Sequence, residues 1–161
     1  MFLKAIRNTL LIFIFTAIIY SCNKVDNSIA ISKDVEEMFA EYTSAWSNAD
    51  FEKITNEIYD LPFYLFEQDT TIIYNSKYDL KLFLKNSFKT LEKNDYGYSV
   101  TNNWEHYKLD GDIAIIEMNY TRFLKDSTVM GAANRKATYV LRKSNDNFKI
   151  SALIPHTPID E

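Results

Sequence analysis

The sequence predicts an α+β domain in which N-terminal helices pack on one face of a curved antiparallel sheet. Two observations carry this. In residues 34–49, 51–59 and 76–93 apolar side chains recur at steps of three and four, and from Tyr96 onward at steps of two. Turn signals, among them Asp110-Gly111 and the run Ser144-Asn145-Asp146-Asn147, divide that second half into four strand-length segments.

The chain opens with a different kind of segment. Lys4 and Arg7 are the only charges in residues 1–21, and Leu10 to Tyr20 is apolar except for Thr16. A basic head followed by a short apolar core has the layout of a secretory signal. A transmembrane helix needs about 20 apolar residues, which makes a permanent span the second reading. A buried helix fits less well, because no polar face meets water. Cys22, the only cysteine, follows directly. A small residue and Cys after such a core resemble the lipobox of bacterial lipoproteins. Ser21 and Ile19 match it, whereas Tyr20 departs from the usual small residue. The resemblance implies cleavage before Cys22, acylation of Cys22, and a chain held at the bacterial cell envelope, on the periplasmic side or the cell surface. Plain secretion with a chance cysteine and an uncleaved anchor are the other readings.

Of the 161 residues, 140 follow residue 21, which suits one domain. They hold 16 basic and 22 acidic side chains, a net charge of −6. An acidic domain in which no Lys/Arg cluster stands out argues against nucleic-acid partners, since phosphate neutralisation supplies most of that affinity. Membrane contact must then come through lipid on Cys22. With that cysteine used, no intramolecular disulfide forms, and stability rests on the core. The composition supplies one: 47% of residues are apolar and 15% aromatic.

Residues 22–32 have no clear period and read as an acylated cysteine and tether. In residues 34–49, Val35, Met38, Phe39, Tyr42, Ala45 and Trp46 form one helical stripe. Asp34 or Ser32 caps its start, and Glu36 and Glu37 suit the positive end of the helix dipole. Asp50 caps a second helix over 51–59, with Phe51, Ile54 and Ile58 inward and Pro62 ending it. Residues 63–67 and 71–75 read as a short hairpin around Gln68-Asp69-Thr70. Ser76 caps a third helix to about Lys93, striped by Leu80, Phe83, Leu84, Phe88 and Leu91. Segments 98–109, 112–124, 129–142 and 148–156 then make an antiparallel meander. Three helices over a bent sheet imply a deep apolar cavity between the layers.

The stretches "EYTSAWSNADFEKI" (41–54) and "ATYVLRKSNDNFKISAL" (137–153) resemble the NTF2-like superfamily, also called the SnoaL-like or cystatin-like cone. The first is similar to that family's helix junction, where an aromatic precedes a small residue and Asp. The second is similar to its last hairpin. The resemblance covers about residues 33–156 and implies one NTF2-like domain over 33–161. The fold hosts isomerases, dehydratases, hydrolases, binding modules and interaction domains, so it does not define function. In the ketosteroid isomerase branch a helix-one tyrosine lies eight residues before the junction aspartate, and Tyr42 and Asp50 keep that spacing. The branch also needs a base at the first hairpin and a second carboxyl on a late strand. "TIIYN" and "TYVLR" offer neither, so that activity is rejected.

The candidate pocket residues are Tyr42, Trp46, Glu67, Trp104, Tyr120, Tyr139 and His156, with Tyr64 as a further aromatic. His156 shares the parity of Phe148, Ile150, Ala152 and Ile154, which aims it inward if the strand is regular. Glu117 and Arg122 lie on opposite faces of their strand and are candidates for a cavity acid and an anion clamp, although a wet face is the commoner place for both. The two histidines are fifty residues apart, which argues against a metal site. Gly97, Gly111 and Gly131 stand alone, so no phosphate loop forms and no cofactor is expected. The expectation is an anchored envelope protein that binds a small apolar ligand or a protein partner without catalysis. The alternative is an enzyme (isomerase, dehydratase or hydrolase type) in which Tyr42, His156 and Glu67 or Glu117 converge. A homodimer through the sheet is the third expectation.

Overall fold

The computed structural model describes residues 27–108 and 112–156. From Ser32 onward the chain forms one compact unit. The elements run α1 (Asn27–Ser47), α2 (Phe51–Lys53) with a π-helical turn (Ile54–Ile58), β1 (Tyr59–Phe66), β2 (Thr71–Tyr74), α3 (Lys77–Lys93), β3 (Tyr96–Lys108), β4 (Ile113–Leu124), β5 (Arg135–Ser144) and β6 (Asn147–Pro155). Helix α1 begins at Asn27, so part of the expected tether is helical.

The inward stripe of α1 is Val35, Phe39, Tyr42 and Ala45, all buried. The helix ends where Ala49 turns left-handed at φ 54° and the Asp50 N–H reaches back to the Ala45 carbonyl at 2.8 Å. This wrap satisfies a carbonyl that the last turn would otherwise leave open. The Asp50 carboxylate then accepts from the Lys53 N–H at 2.9 Å and caps α2.

The second helix runs the length of its stripe, to Ile58, and ends one residue before the expected bound. Only Phe51–Lys53 is α-helical, and the chain is already extended at Tyr59. Tyr59 is buried and lies opposite Ile150 of β6, so the sheet claims the residue that the local pattern assigns to the helix. Pro62 therefore does not end a helix; it lies inside β1, after a cis peptide bond from Leu61.

The sheet has the order β2-β1-β6-β5-β4-β3. The expected meander is present in β3 to β6, all antiparallel. The expected hairpin is present in β1 and β2. The sheet is nevertheless mixed, because β1 adds to the free edge of β6 in parallel. The turn into β6 places Asn145 and Asp146 at φ 49° and 65°. Two left-handed residues between paired strands make a hairpin turn whose twist matches the sheet. The Asp110-Gly111 turn lies outside the described residues. The expected third strand starts late, at Arg135; before it, Val129 makes one isolated bridge to Phe123.

Helix α3 matches its expected span. The Ser76 hydroxyl accepts from the Asp79 N–H at 3.2 Å, and Leu80, Leu84, Phe88 and Leu91 are buried. Lys77, Lys81, Lys85, Lys89 and Lys93 recur at every fourth position of the same helix. The view that no basic cluster exists is therefore corrected for this helix. A four-residue step advances about 40° beyond a full turn, so the row winds around α3 instead of forming one flat patch. Lys81 is paired with Glu52, and Lys77 donates to Asn56 Oδ1 at 3.2 Å.

The inner face of the sheet carries Ala114, Ile116 and Met118 of β4, Ala137, Tyr139 and Leu141 of β5, and Phe63 and Leu65 of β1, all buried. The alternate residues Ile115, Glu117, Thr138 and Val140 face the other way and stay partly exposed.

Candidate functional site

Two spaces adjoin the inner face. An inner cavity of about 80 Å³ lies between α1 and strands β3 to β6, with Tyr42, Thr101, Met118, Tyr120 and Tyr139 among its walls. An open groove of about 750 Å³ lies along α3 and the β1–β2 hairpin, walled by Leu65, Tyr74, Leu82, Phe83 and Leu91. Trp46, Arg122, Leu153 and Pro155 line both. The expected deep cavity is thus corrected. Aromatic rings fill most of the space under α1, and the room for a ligand is displaced toward α3.

The filling is an aromatic cluster. Phe39 and Tyr139 meet edge to face at 5.1 Å, Tyr42 and Tyr139 at 5.7 Å, and Tyr59 stacks on Phe63 at 4.3 Å. The Tyr42 and Tyr59 hydroxyls are 3.2 Å apart, within hydrogen-bond reach. Burial holds the Tyr42, Tyr59 and Tyr139 hydroxyls above the ordinary phenol range, because water is withdrawn from the charged phenolate. For Tyr42, hydrogen bonding from Tyr59 and Tyr139 partly offsets burial. All three are neutral donors near neutral pH, not bases.

Arg122 is the charged group at the junction. Its guanidinium lies 5.6 Å from the Tyr120 ring and 6.0 Å from the Trp46 ring. Its Nε is buried without a hydrogen-bond partner. Thr43 and Thr101 hydroxyls meet at 3.4 Å on the cavity wall.

The structure distributes the sequence candidates over several places. Tyr42, Trp46, Tyr120 and Tyr139 line the inner cavity. Glu67 is at the exposed rim of the groove. Trp104 stacks on Phe39 at 6.3 Å and lines a separate open depression of about 590 Å³ between α1 and β3. Tyr64 alternates with the buried Phe63 and Leu65, so it points to the opposite face. His156 is a correction. Its exposed ring bonds the Thr138 hydroxyl at 2.8 Å on the open face. The β5–β6 register shifts between Val140 and Leu141, and one extra residue in β6 reverses the parity beyond it. Glu117 is also on the open face, 3.3 Å from Lys136. Asp50 is occupied as a helix cap. Cys22 lies outside the described residues.

Sequence reasoning missed Tyr59, which the helical stripe hides, and gave too little weight to Arg122. The latter had a readable signal: it shares parity with Ala114, Ile116, Met118 and Tyr120, an otherwise inward set. Among the described residues, no group of three or more His, Cys, Asp or Glu is placed to hold a metal ion.

Helices laid on a curved, unclosed sheet, with a ligand-sized space between them, define the cone architecture of NTF2-like proteins. The chain belongs to the family described as NTF2-like protein (DUF6841), whose pattern matches residues 32–158. Solved structures agree on the fold. A protein of unknown function from Mycobacterium tuberculosis, Rv3472, superposes with a TM-score of 0.67 at 13% identity, over 86% of this chain and 78% of that one. An NTF2-like protein with a cystatin-like fold from Novosphingobium aromaticivorans gives 0.63 at 11%, over 84% and 90%. The association domain of CaMKII from C. elegans gives 0.60 at 15%, over 82% and 99%. No curated protein matches this chain in sequence.

The buried phenols make stability depend on alkaline pH. Their folded pKa values are raised, so their contribution is intact below the unfolded value and is lost as pH rises past it. Each buried tyrosine then adds a slope of about 1.4 kcal/mol per pH unit above about pH 10. Urea unfolding should show stability level to that point and falling beyond it, with a shallower fall in Tyr59→Phe. If ultraviolet titration shows every tyrosine ionising near the ordinary value while circular dichroism stays native, the cluster is not sealed.

Proposed function

We propose that this is a lipid-anchored envelope protein whose NTF2-like domain binds a small, largely apolar molecule without transforming it. The observation that supports binding is the groove of about 750 Å³, within the size range of small-molecule sites, with its walls of Leu65, Phe83 and Leu91. The anchor rests on the signal-like residues 1–21 and Cys22. Against catalysis stands the scatter of the acid–base candidates. General acid–base chemistry needs its groups within hydrogen-bond reach of one point. Tyr42 is inside, Glu67 is at the groove rim, and Glu117 and His156 are across the sheet.

Two measurements test the two parts. Detergent phase partition of the wild-type chain from bacterial membranes should place it in the detergent phase with acyl mass on Cys22. Cys22→Ala should lose that mass, and an unacylated wild type would end the anchor reading. Native mass spectrometry of protein purified from its own cell should show a retained small molecule, lost in Ser87→Trp, which fills the groove wall. An empty wild type that also ignores a thermal-shift library would end the binding reading.

A second reading, a homodimer through the sheet, is favoured by the open face. There Ile113, Ile115, Val140 and Ile154 remain half-exposed around the Glu117–Lys136 pair. Light scattering should give twice the chain mass for wild type and a monomer for Val140→Glu. A wild-type monomer at crystallisation concentrations would rule it out.

A further inference from the structure

We infer that the junction of cavity and groove is a subsite for the carboxylate of a small organic monoacid, with Arg122 as the residue that binds it. This rests on the binding reading above and names the class of ligand.

Arg122 has the properties of a cation awaiting an anion. Its Nε is buried and unpartnered, and its side chain makes no hydrogen bond or ion pair among the described residues. The residue is half-buried, with its Nε sealed and unpaired, and a carboxylate matches the planar fork of the guanidinium with two parallel bonds. The Tyr120 and Trp46 rings, 5.6 and 6.0 Å away, hold the charge by cation–π attraction and leave its in-plane N–H groups for a ligand. The residue lines both spaces, so a carboxylate placed there can carry its body into the groove.

The surroundings narrow the class. On the cavity side the Ser99 and Thr101 hydroxyls make the wall polar, although each already has a partner: Ser99 with the Tyr96 hydroxyl at 2.8 Å, and Thr101 with the Thr43 hydroxyl at 3.4 Å. Leu65, Phe83 and Leu91 on the groove side suit an aromatic ring or short alkyl chain. Glu67 and Asp79 stand at the exposed rim, with Asp79 already bonded to the Ser76 hydroxyl at 2.6 Å. Negative charge at the mouth disfavours a second acid group at the far end of the ligand, so the fit is to a monoacid. Dicarboxylates fit less well on the same ground.

The test uses the full chain in non-ionic detergent, with 3-phenylpropanoate and its neutral amide as probes. Calorimetry should show the acid binding at least tenfold tighter than the amide to wild type. Arg122→Gln should reduce the acid to the level of the amide, and Arg122→Lys should keep part of the preference. Circular dichroism of each variant checks its fold, and the wild-type comparison stands without any variant. Equal binding of acid and amide by wild type would overturn the inference and leave the binding reading standing. Failure of both probes would overturn this inference. The binding reading would fall as well only if native mass spectrometry finds the protein empty and the thermal-shift library leaves it unmoved.

Discussion

The structure depends on the aromatic layer between α1 and the inner face of the sheet. Phe39 and Tyr42 come from the helix, Tyr59 from the first residue of β1, and Tyr139 from the middle of β5. Rings of this size carry a large share of any core. Their hydroxyls also impose a condition, because a buried phenol without a partner forfeits the hydrogen bonds it made in water. The Tyr42–Tyr59 contact meets that condition for two of them and joins the first helix to the first strand. Tyr59 can reach it only if the helical segment stops at Ile58. The short π turn, the early start of β1 and its parallel place beside β6 are consistent with that one requirement.

The same layer governs where function can reside. By filling the space beneath α1 it leaves an inner cavity of about 80 Å³ and shifts the usable volume to the groove beside α3. It also divides the polar chemistry. Neutral phenols and Arg122 are on the helix side, whereas the Glu117–Lys136 and Thr138–His156 pairs are on the open side. A sheet lies between the two sets. Recognition by one cation among apolar walls fits this division better than proton transfer does.

Legibility followed the range of the signal. Helix α3 was readable from Ser76 to Lys93, because its cap, its stripe and its polar break all lie within a few residues of one another. The β5–β6 turn was readable for the same reason. His156 was not, since a single bulge reverses every side chain beyond it and leaves no mark in local composition. In residues 51–59 the stripe correctly marks Ile54 and Ile58 as helical and buried; only Tyr59 departs from it, because its pairing partner Ile150 is distant in sequence. Arg122 was half legible: its parity was visible, but its place beside the Trp46 ring depends on a residue far away in sequence.

By itself the sequence determined the layered class, the order of helices and strands, the meander and most of the core stripe. These follow from side-chain periodicity and turn chemistry, which act over a few residues. Tertiary structure decided the parallel insertion of β1, the face on which His156 and Glu117 lie, the small volume under α1 and the open groove beside α3. Each of these depends on which distant surfaces compete for the same side chain, and burial of that kind is a property of the packed layers and not of any local segment.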